Sequence, residues 1–170
     1  MSVEQSVYSV LHKNGTFELR RYEPQILAVS RESDLRGYSG FNVLFDYISG
    51  GNRDARKISM TAPVLNNLDD KPLTTAFVMP PGMRLADLPQ PNASGPALVE
   101  VPARDMAAVT FSGNIGIALL ARKKDELLAW VSGQGLATTG PVELARYNPP
   151  FLPGFLKRNE LLVEVSARLE

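Results

Sequence analysis

Apolar side chains recur at helical spacing in two stretches of the chain. Phe41, Leu44, Phe45 and Ile48 stand at i, i+3, i+4 and i+7, one face of a helix with 3.6 residues per turn. The pattern predicts a helix over 38–49, and Gly50-Gly51 behind it offers the left-handed residue at which helices commonly stop. Ile117, Leu120, Leu127, Leu128 and Val131 form a second stripe, with Arg122, Lys123, Lys124, Asp125 and Glu126 on its solvated side. It predicts a helix over 116–132, ended by Gly133 and Gly135. Elsewhere the period is two, as where Leu161, Val163 and Val165 oppose Leu162, Glu164 and Ser166. Strands are predicted over 16–23, 25–32, 56–66 and 73–79, then over 97–103, 106–112, 141–148 and 160–167, with one more over 3–11. Pro63 lies inside one of them and donates no ladder hydrogen bond, so that strand is expected to kink there.

The pattern repeats. Ala28-Val29-Ser30 corresponds to Ala108-Val109-Thr110, and Leu44-Phe45-Asp46-Tyr47-Ile48-Ser49-Gly50 to Leu127-Leu128-Ala129-Trp130-Val131-Ser132-Gly133. Each half, about 16–80 and 97–167, holds two strands, a helix ending at Ser-Gly and two further strands. Pro80-Pro81-Gly82 and the run Pro89 to Pro96 connect the halves and sustain neither strand nor long helix. Neither half has enough strands to cover its own helix. One domain over 1–170 is therefore expected, of α+β class: duplicated βαββ-type units forming a distorted antiparallel β-barrel flanked by two helices.

Composition narrows the classes of function. Eighteen basic and eighteen acidic side chains give zero formal net charge, whereas nucleic-acid binders usually carry a basic stripe. There is no cysteine for disulfides, thiolate metal sites or nucleophilic catalysis. No apolar run is long enough for a bilayer span, and Met1-Ser2-Val3-Glu4-Gln5 does not read as a signal peptide. A cytoplasmic, monomeric protein that binds no nucleic acid is the expectation. With one histidine and no cysteine the usual nucleophile–base pairs are missing. Ser49-Gly50-Gly51-Asn52 follows a helix instead of preceding one, so it is no phosphate loop. Asp69-Asp70 sits in a turn-like segment. Enzymatic activity is not expected.

Several strings resemble one family. Lys57-Ile58-Ser59-Met60-Thr61-Ala62-Pro63-Val64 is similar to the KIPMTAPV signature of the SOUL/haem-binding proteins, with Ser59 where that family usually has proline. Tyr8-Ser9-Val10 and Phe17-Glu18-Leu19-Arg20-Arg21-Tyr22 resemble its opening strands, Phe77-Val78-Met79-Pro80 its F-x-M-P strand end, and Phe111-Ser112-Gly113 its F-S-G element. Tyr147-Asn148-Pro149-Pro150 and Arg158-Asn159-Glu160 are similar to its Y-N-P-P and R-N-E segments. The matches keep their order from Tyr8 to Val165. The gyrase-inhibitor-like small-molecule-binding domains share the duplicated plan.

The resemblance implies non-covalent haem or porphyrin binding, for buffering or transport, in a cleft between the first helix and the loop before the last strand. Here that means Phe41, Leu44, Phe45, Ile48 and Met60, with Tyr147, Pro149, Pro150, Phe151, Leu152, Pro153 and Phe155 from the loop. Those loop residues either cover the core or line a pocket. Arg36, Arg53, Arg56, Lys57 and Lys157 are candidate rim cations for the propionates, or else a solvated surface. His12, at a strand end before the turn Lys13-Asn14-Gly15, reads as an axial iron ligand or as an exposed strand-end histidine. Met60, Tyr147 and Tyr22 are weaker ligand candidates, and contact through apolar faces with weak or absent axial ligation is the most consistent picture. The alternatives are a non-haem small-molecule sensor with the same plan, a protein-interaction module docking through the Pro-Phe loop, and an enzyme with an unrecognised oxygen centre. Arginines at a pocket rim would favour propionates; a buried carboxylate would favour cations.

Overall fold

Among the described residues, alternation and helical period resolve into eleven strands and two α-helices. The computed structural model describes residues 3–35, 38–69, 72–149 and 151–167. In chain order the elements are β1 (Glu4–Gln5), β2 (Tyr8–Asn14), β3 (Phe17–Tyr22), β4 (Gln25–Arg31), α1 (Ser39–Ile48), β5 (Thr61–Ala62), β6 (Val64–Asn67) and β7 (Thr74–Val78). Then come β8 (Ala97–Val101), β9 (Arg104–Phe111), α2 (Ile117–Gly133), β10 (Leu136–Arg146) and β11 (Asn159–Ala167). Both helices fall where the apolar stripes predict them. Gly50, with φ of 108°, and Gly135, with φ of 72°, take the left-handed conformations that stop them.

The strands differ from expectation where proline or glycine intervenes. Over 56–66 only β5 and β6 form, separated by Pro63 behind a cis Ala62–Pro63 bond. Residues 56–60 run beside the end of α1, where the Ile58 amide donates to the Ile48 carbonyl at 2.8 Å. The strand predicted over 3–11 divides into β1, parallel to β5, and the longer β2. β10 starts at Leu136 instead of 141, because the ladder with β11 absorbs Gly140-Pro141 as an irregularity between Thr138 and Val142.

Nine strands make one antiparallel sheet in the order β2-β3-β9-β11-β10-β6-β7-β4-β8. Without edge strand β2, this order reads the same backwards when β3, β4, β6 and β7 are exchanged with β8, β9, β10 and β11, as a duplication would leave it. It also forces curvature. β3 and β4 are joined only by Glu23-Pro24, a link that reaches roughly 10 Å when extended. Six inter-strand spacings separate them along the sheet, about 29 Å if it were flat. β8 and β9 are joined as tightly, by Pro102-Ala103. The two ends of the sheet are therefore drawn together.

They do not pair, so the expected barrel is not closed. β3, β4 and β9 are each already paired on both sides, so neither link can close into a ladder, and Pro24 and Pro102 donate no hydrogen bond. The result is a deeply curled open sheet with β2 and β8 as its edges.

Pairing register sorts the side chains onto two faces. α1 packs on the outer face through Leu44, Tyr47 and Ile48 against Ala28, Phe77 and Met79. α2 packs on the same face through Leu120, Leu127 and Val131 against Val109, Leu144 and Leu161. The inner face buries Tyr22, Leu27, Leu65, Val78, Met106 and Leu162 against one another. Burial on both sides is why β9 and β11 read as near-continuous apolar runs. Ile117, assigned from periodicity to the stripe of α2, is instead 90% exposed in the first turn of that helix.

Buried Glu32 sets the start of α1. Its carboxylate accepts hydrogen bonds from the Ser39 hydroxyl at 2.6 Å, the Gly40 and Phe41 amides at 3.1 and 3.2 Å, and the Thr75 hydroxyl at 3.0 Å. It thereby satisfies amides that a helix end leaves unpaired. No Cβ fits at Gly40, since one would lie 2.5 Å from the Arg31 carbonyl oxygen. Burial pushes the Glu32 pKa up, but these hydrogen bonds outweigh it and hold the group below its ordinary value of 4.5. Because folding lowers this pKa, the stabilisation is present above about 4.5 and is lost as pH falls below it. Glu32→Ala should cost about 1–3 kcal/mol by urea denaturation at neutral pH, and its deficit against the parent should shrink in acid.

Candidate functional site

α1 has a buried and an outward side. Leu44 is fully buried and Ile48 nearly so, which makes both core residues and not cleft walls. Phe41 is half-buried, edge-on to Phe77 at 5.1 Å between ring centroids. Outside it, Phe45 stacks on Phe41 at 6.1 Å and Tyr38 meets the same ring edge-on at 6.3 Å. Phe45 and Tyr38 are 51% and 54% exposed, so the helix presents an aromatic strip to solvent. Met60 is half-buried at the margin of the cluster beneath α1.

The segment after α1 supplies cations. Arg53, Arg56 and Lys57 are all exposed. The Arg56 guanidinium donates to the Asp87 carbonyl, and Lys57 bridges to Ser49 at the end of α1. Arg36 and Pro150, both named from the sequence, lie outside the described residues.

The loop between β10 and β11 is anchored on the α2 side of the sheet. It is fastened to the segment before α2, where the Gly113 amide donates to the Gly154 carbonyl at 2.9 Å and Lys157 Nζ to Asn114 Oδ1 at 3.3 Å. Phe151 and Phe155 are 82% and 77% exposed, so neither covers the core, and Leu152 is half-buried. Neither ring contacts another aromatic among the described residues. Where β10 ends and the loop begins, Arg146 donates to the Leu35 carbonyl at 3.4 Å and to Asn66 Oδ1 at 2.5 Å. Among the described residues no ring contact or hydrogen bond joins Phe151, Leu152 or Phe155 to α1.

The iron-ligand candidates are scattered. His12 sits on edge strand β2 with its ring parallel to Trp130 of α2, 6.3 Å away, beyond the reach of α1 on β4 and β7. Tyr147 donates its hydroxyl to Glu160 Oε1 at 2.7 Å; burial, then the Glu160 charge, pushes its pKa up and disfavours the phenolate. Tyr22 is buried on the inner face, and burial, partly offset by Arg20, raises its pKa to about 12.

Those tyrosines belong to a network that the sequence did not reveal. Arg20 and Glu160, 140 residues apart, form a bidentate pair with Nη1–Oε1 at 2.8 Å and Nη2–Oε2 at 2.5 Å, both fully buried. Arg20 also donates to Glu18 at 2.9 Å and to the Tyr22 hydroxyl at 3.0 Å. Glu160 further accepts from Thr110 at 3.0 Å and Arg158 at 3.2 Å. Tyr8 caps the Arg20 guanidinium at 4.3 Å, and Tyr147 that of Arg158 at 4.1 Å. Burial pushes the Glu160 pKa up, yet Arg20, the Tyr147 hydroxyl and Arg158 together pull it down to about 2. Two arginines balance two glutamates, leaving no uncompensated carboxylate here to hold a cation.

A cavity of about 790 Å³ opens elsewhere, where the ends of the curled sheet meet. It lies among the tight links at Glu23-Pro24 and Val101-Pro102, the extension of β7 through Pro80 to Arg84, and the arm Ser6-Val7. The connector reading of Pro80-Pro81-Gly82 did not suggest a wall. Periodicity carries no signal for a space made by two short links between distant strands.

Comparison with known proteins places this architecture. No helix among the described residues is long and apolar enough to cross a membrane. No curated protein sequence matches the chain significantly. Among solved structures the chain is similar to the EcmrR C-terminal domain, with 15% identity, a TM-score of 0.66, and 95% of this chain and 99% of that one covered. It is also similar to a structure described as a hydrolase from Listeria innocua, with 16% identity, a TM-score of 0.55, and 87% and 91% covered. A third is SAV2435 bound to tetraphenylphosphonium, with 10% identity, a TM-score of 0.50, and 88% and 93% covered. At these identities the likeness is one of fold. The family model described as SOUL heme-binding protein matches residues 3–164, nearly the whole chain, and the protein belongs to that family.

Proposed function

We propose that the protein binds a tetrapyrrole, haem or a free porphyrin, non-covalently along the outward side of α1, and buffers or carries it in the cytoplasm. One observation carries the reading: the strip of exposed Tyr38 and Phe45 around half-buried Phe41 lies close in sequence to the exposed cations Arg53, Arg56 and Lys57. A flat apolar ring stacks on such a strip, and its propionates pair with guanidinium groups, which accept carboxylates in a bidentate fork. Family membership supports a ligand-binding role. Phe151 and Phe155 would meet the ring from the far side if the loop closes on it. The residues fit the faces and carboxylates of a tetrapyrrole better than its iron, since His12 stands against Trp130 and Tyr147 is tied to Glu160.

A haemin titration followed at the Soret band tests this. Saturable one-to-one binding is expected, unchanged by His12→Ala. Phe45→Ala should weaken it about tenfold, the scale of one lost aromatic stack with its buried area, and Arg56→Ala should weaken it less. Loss of binding in His12→Ala, or no saturable change with folded protein, would overturn the proposal.

A further inference from the structure

We propose a second ligand site in the cavity between the curled sheet ends, built for an apolar organic monocation and independent of the tetrapyrrole reading. Its volume of about 790 Å³ lies within the range of small-molecule pockets, roughly 300–1,000 Å³. Val7, Ile26, Val78 and Val101 supply apolar surface, and Met79 and Met83 add polarisable thioethers that adapt to ligand shape. Prolines at both tight links and at Pro80-Pro81 stiffen the walls, so little order is left to impose on binding. The arm is held in place by the Glu23 amide donating to the Val7 carbonyl at 3.1 Å and by the Ser6 amide donating to the Ala62 carbonyl at 3.2 Å.

Charge selects the ligand. Among the described residues Arg84 is the one basic residue lining the cavity, and it is already engaged: its guanidinium donates to both carboxylate oxygens of Asp87, at 3.2 and 3.3 Å. Glu23 and Glu100 also line the cavity, and neither side chain has an ion pair or hydrogen bond among the described residues. The cavity therefore offers an apolar interior with two uncompensated negative charges. That combination attracts a hydrophobic cation and repels the propionates of a tetrapyrrole. The Arg20–Glu160 network, whose charges cancel, provides no comparable field.

The test uses two probes of the same shape and opposite charge, tetraphenylphosphonium and tetraphenylborate, in calorimetric titrations of the intact protein. Saturable one-to-one phosphonium binding is expected, with the borate weaker by about tenfold or more, the scale of two solvent-facing charges. Glu23→Gln combined with Glu100→Gln, both exposed and isosteric, should weaken phosphonium binding by a similar factor and leave the haemin titration unchanged. Glu23→Lys with Glu100→Lys should reverse the preference. Equal affinity for the two probes, non-saturable partitioning, or indifference of phosphonium binding to these substitutions would overturn the site. Failure of haemin binding alone would leave it standing.

Discussion

Glu160→Ala is expected to cost about 3–5 kcal/mol of folding stability, the loss that follows when a buried ion pair is broken from one side. The substitution leaves the Arg20 guanidinium, 1% exposed, with Glu18 as its one remaining carboxylate partner, and at the same time removes the acceptor for Tyr147, Thr110 and Arg158. A domain of this size commonly has only about 5–15 kcal/mol in total, so the variant should unfold at much lower urea concentration. Arg20→Ala should cost a similar amount by leaving the fully buried Glu160 carboxylate with Arg158 as its one remaining cation. Arg20→Met with Glu160→Leu should lose less than the sum of the single substitutions, because no buried charge is left unpaired. Additive losses would show that the two groups do not act as a pair. The acid limb gives an independent reading. Folding lowers the Glu160 pKa from its ordinary 4.5 to about 2, so its stabilisation is complete above about 4.5 and is lost as pH falls toward 2. The parent should lose stability steeply across that window, and Glu160→Gln should lose less.

Leu44→Ala is expected to cost about 2–5 kcal/mol while leaving haemin affinity of the folded protein unchanged. Leu44 is fully buried beneath α1 in the cluster of Ala28, Tyr47 and Phe77, so truncation leaves a cavity in the outer-face core. Phe45, the next residue in the chain and in the same apolar pattern, is half exposed and should behave in the opposite way, losing affinity with little stability. Urea denaturation and haemin titration of the two variants separate the roles. A Leu44→Ala protein with normal stability and weakened haemin binding would put Leu44 in the ligand site and not in the core.

The motifs that carry the family resemblance prove to be fastened to one another. Arg20 and Tyr22 of the opening strand meet Glu160 near the chain end, and Tyr147 of the Tyr-Asn-Pro-Pro segment joins them. Asn159 donates to the Gly113 carbonyl at 3.0 Å, tying the last strand to the Phe-Ser-Gly segment. Thr61 donates to the Val78 carbonyl at 2.5 Å, joining the Lys57-to-Val64 string to the Phe-Val-Met-Pro strand end. Much of what made the chain recognisable is thus a hydrogen-bond framework that closes distant strands on one another. Its polar atoms are spent on one another inside the protein, and so these residues serve the stability of the fold.

The sequence alone determined the helices and most strands, because period and caps act over a few residues: Phe41 to Ile48 spell one face of α1, and Gly50 and Gly135 stop the two helices. It also named the family, through short strings kept in order. It left open which residues of an apolar face would be buried, since Leu44 and Phe45 are equally apolar and only the underlying sheet separates them. It could not decide between a barrel and an open curled sheet, which depends on which strands already share ladders when Pro24 and Pro102 draw the ends together. Nor could it show that Arg20 lies against Glu160 or that a cavity opens between the tight links. Contacts between residues 140 apart and spaces between sheet ends leave no periodic trace along the chain, and so the tertiary structure alone decided them.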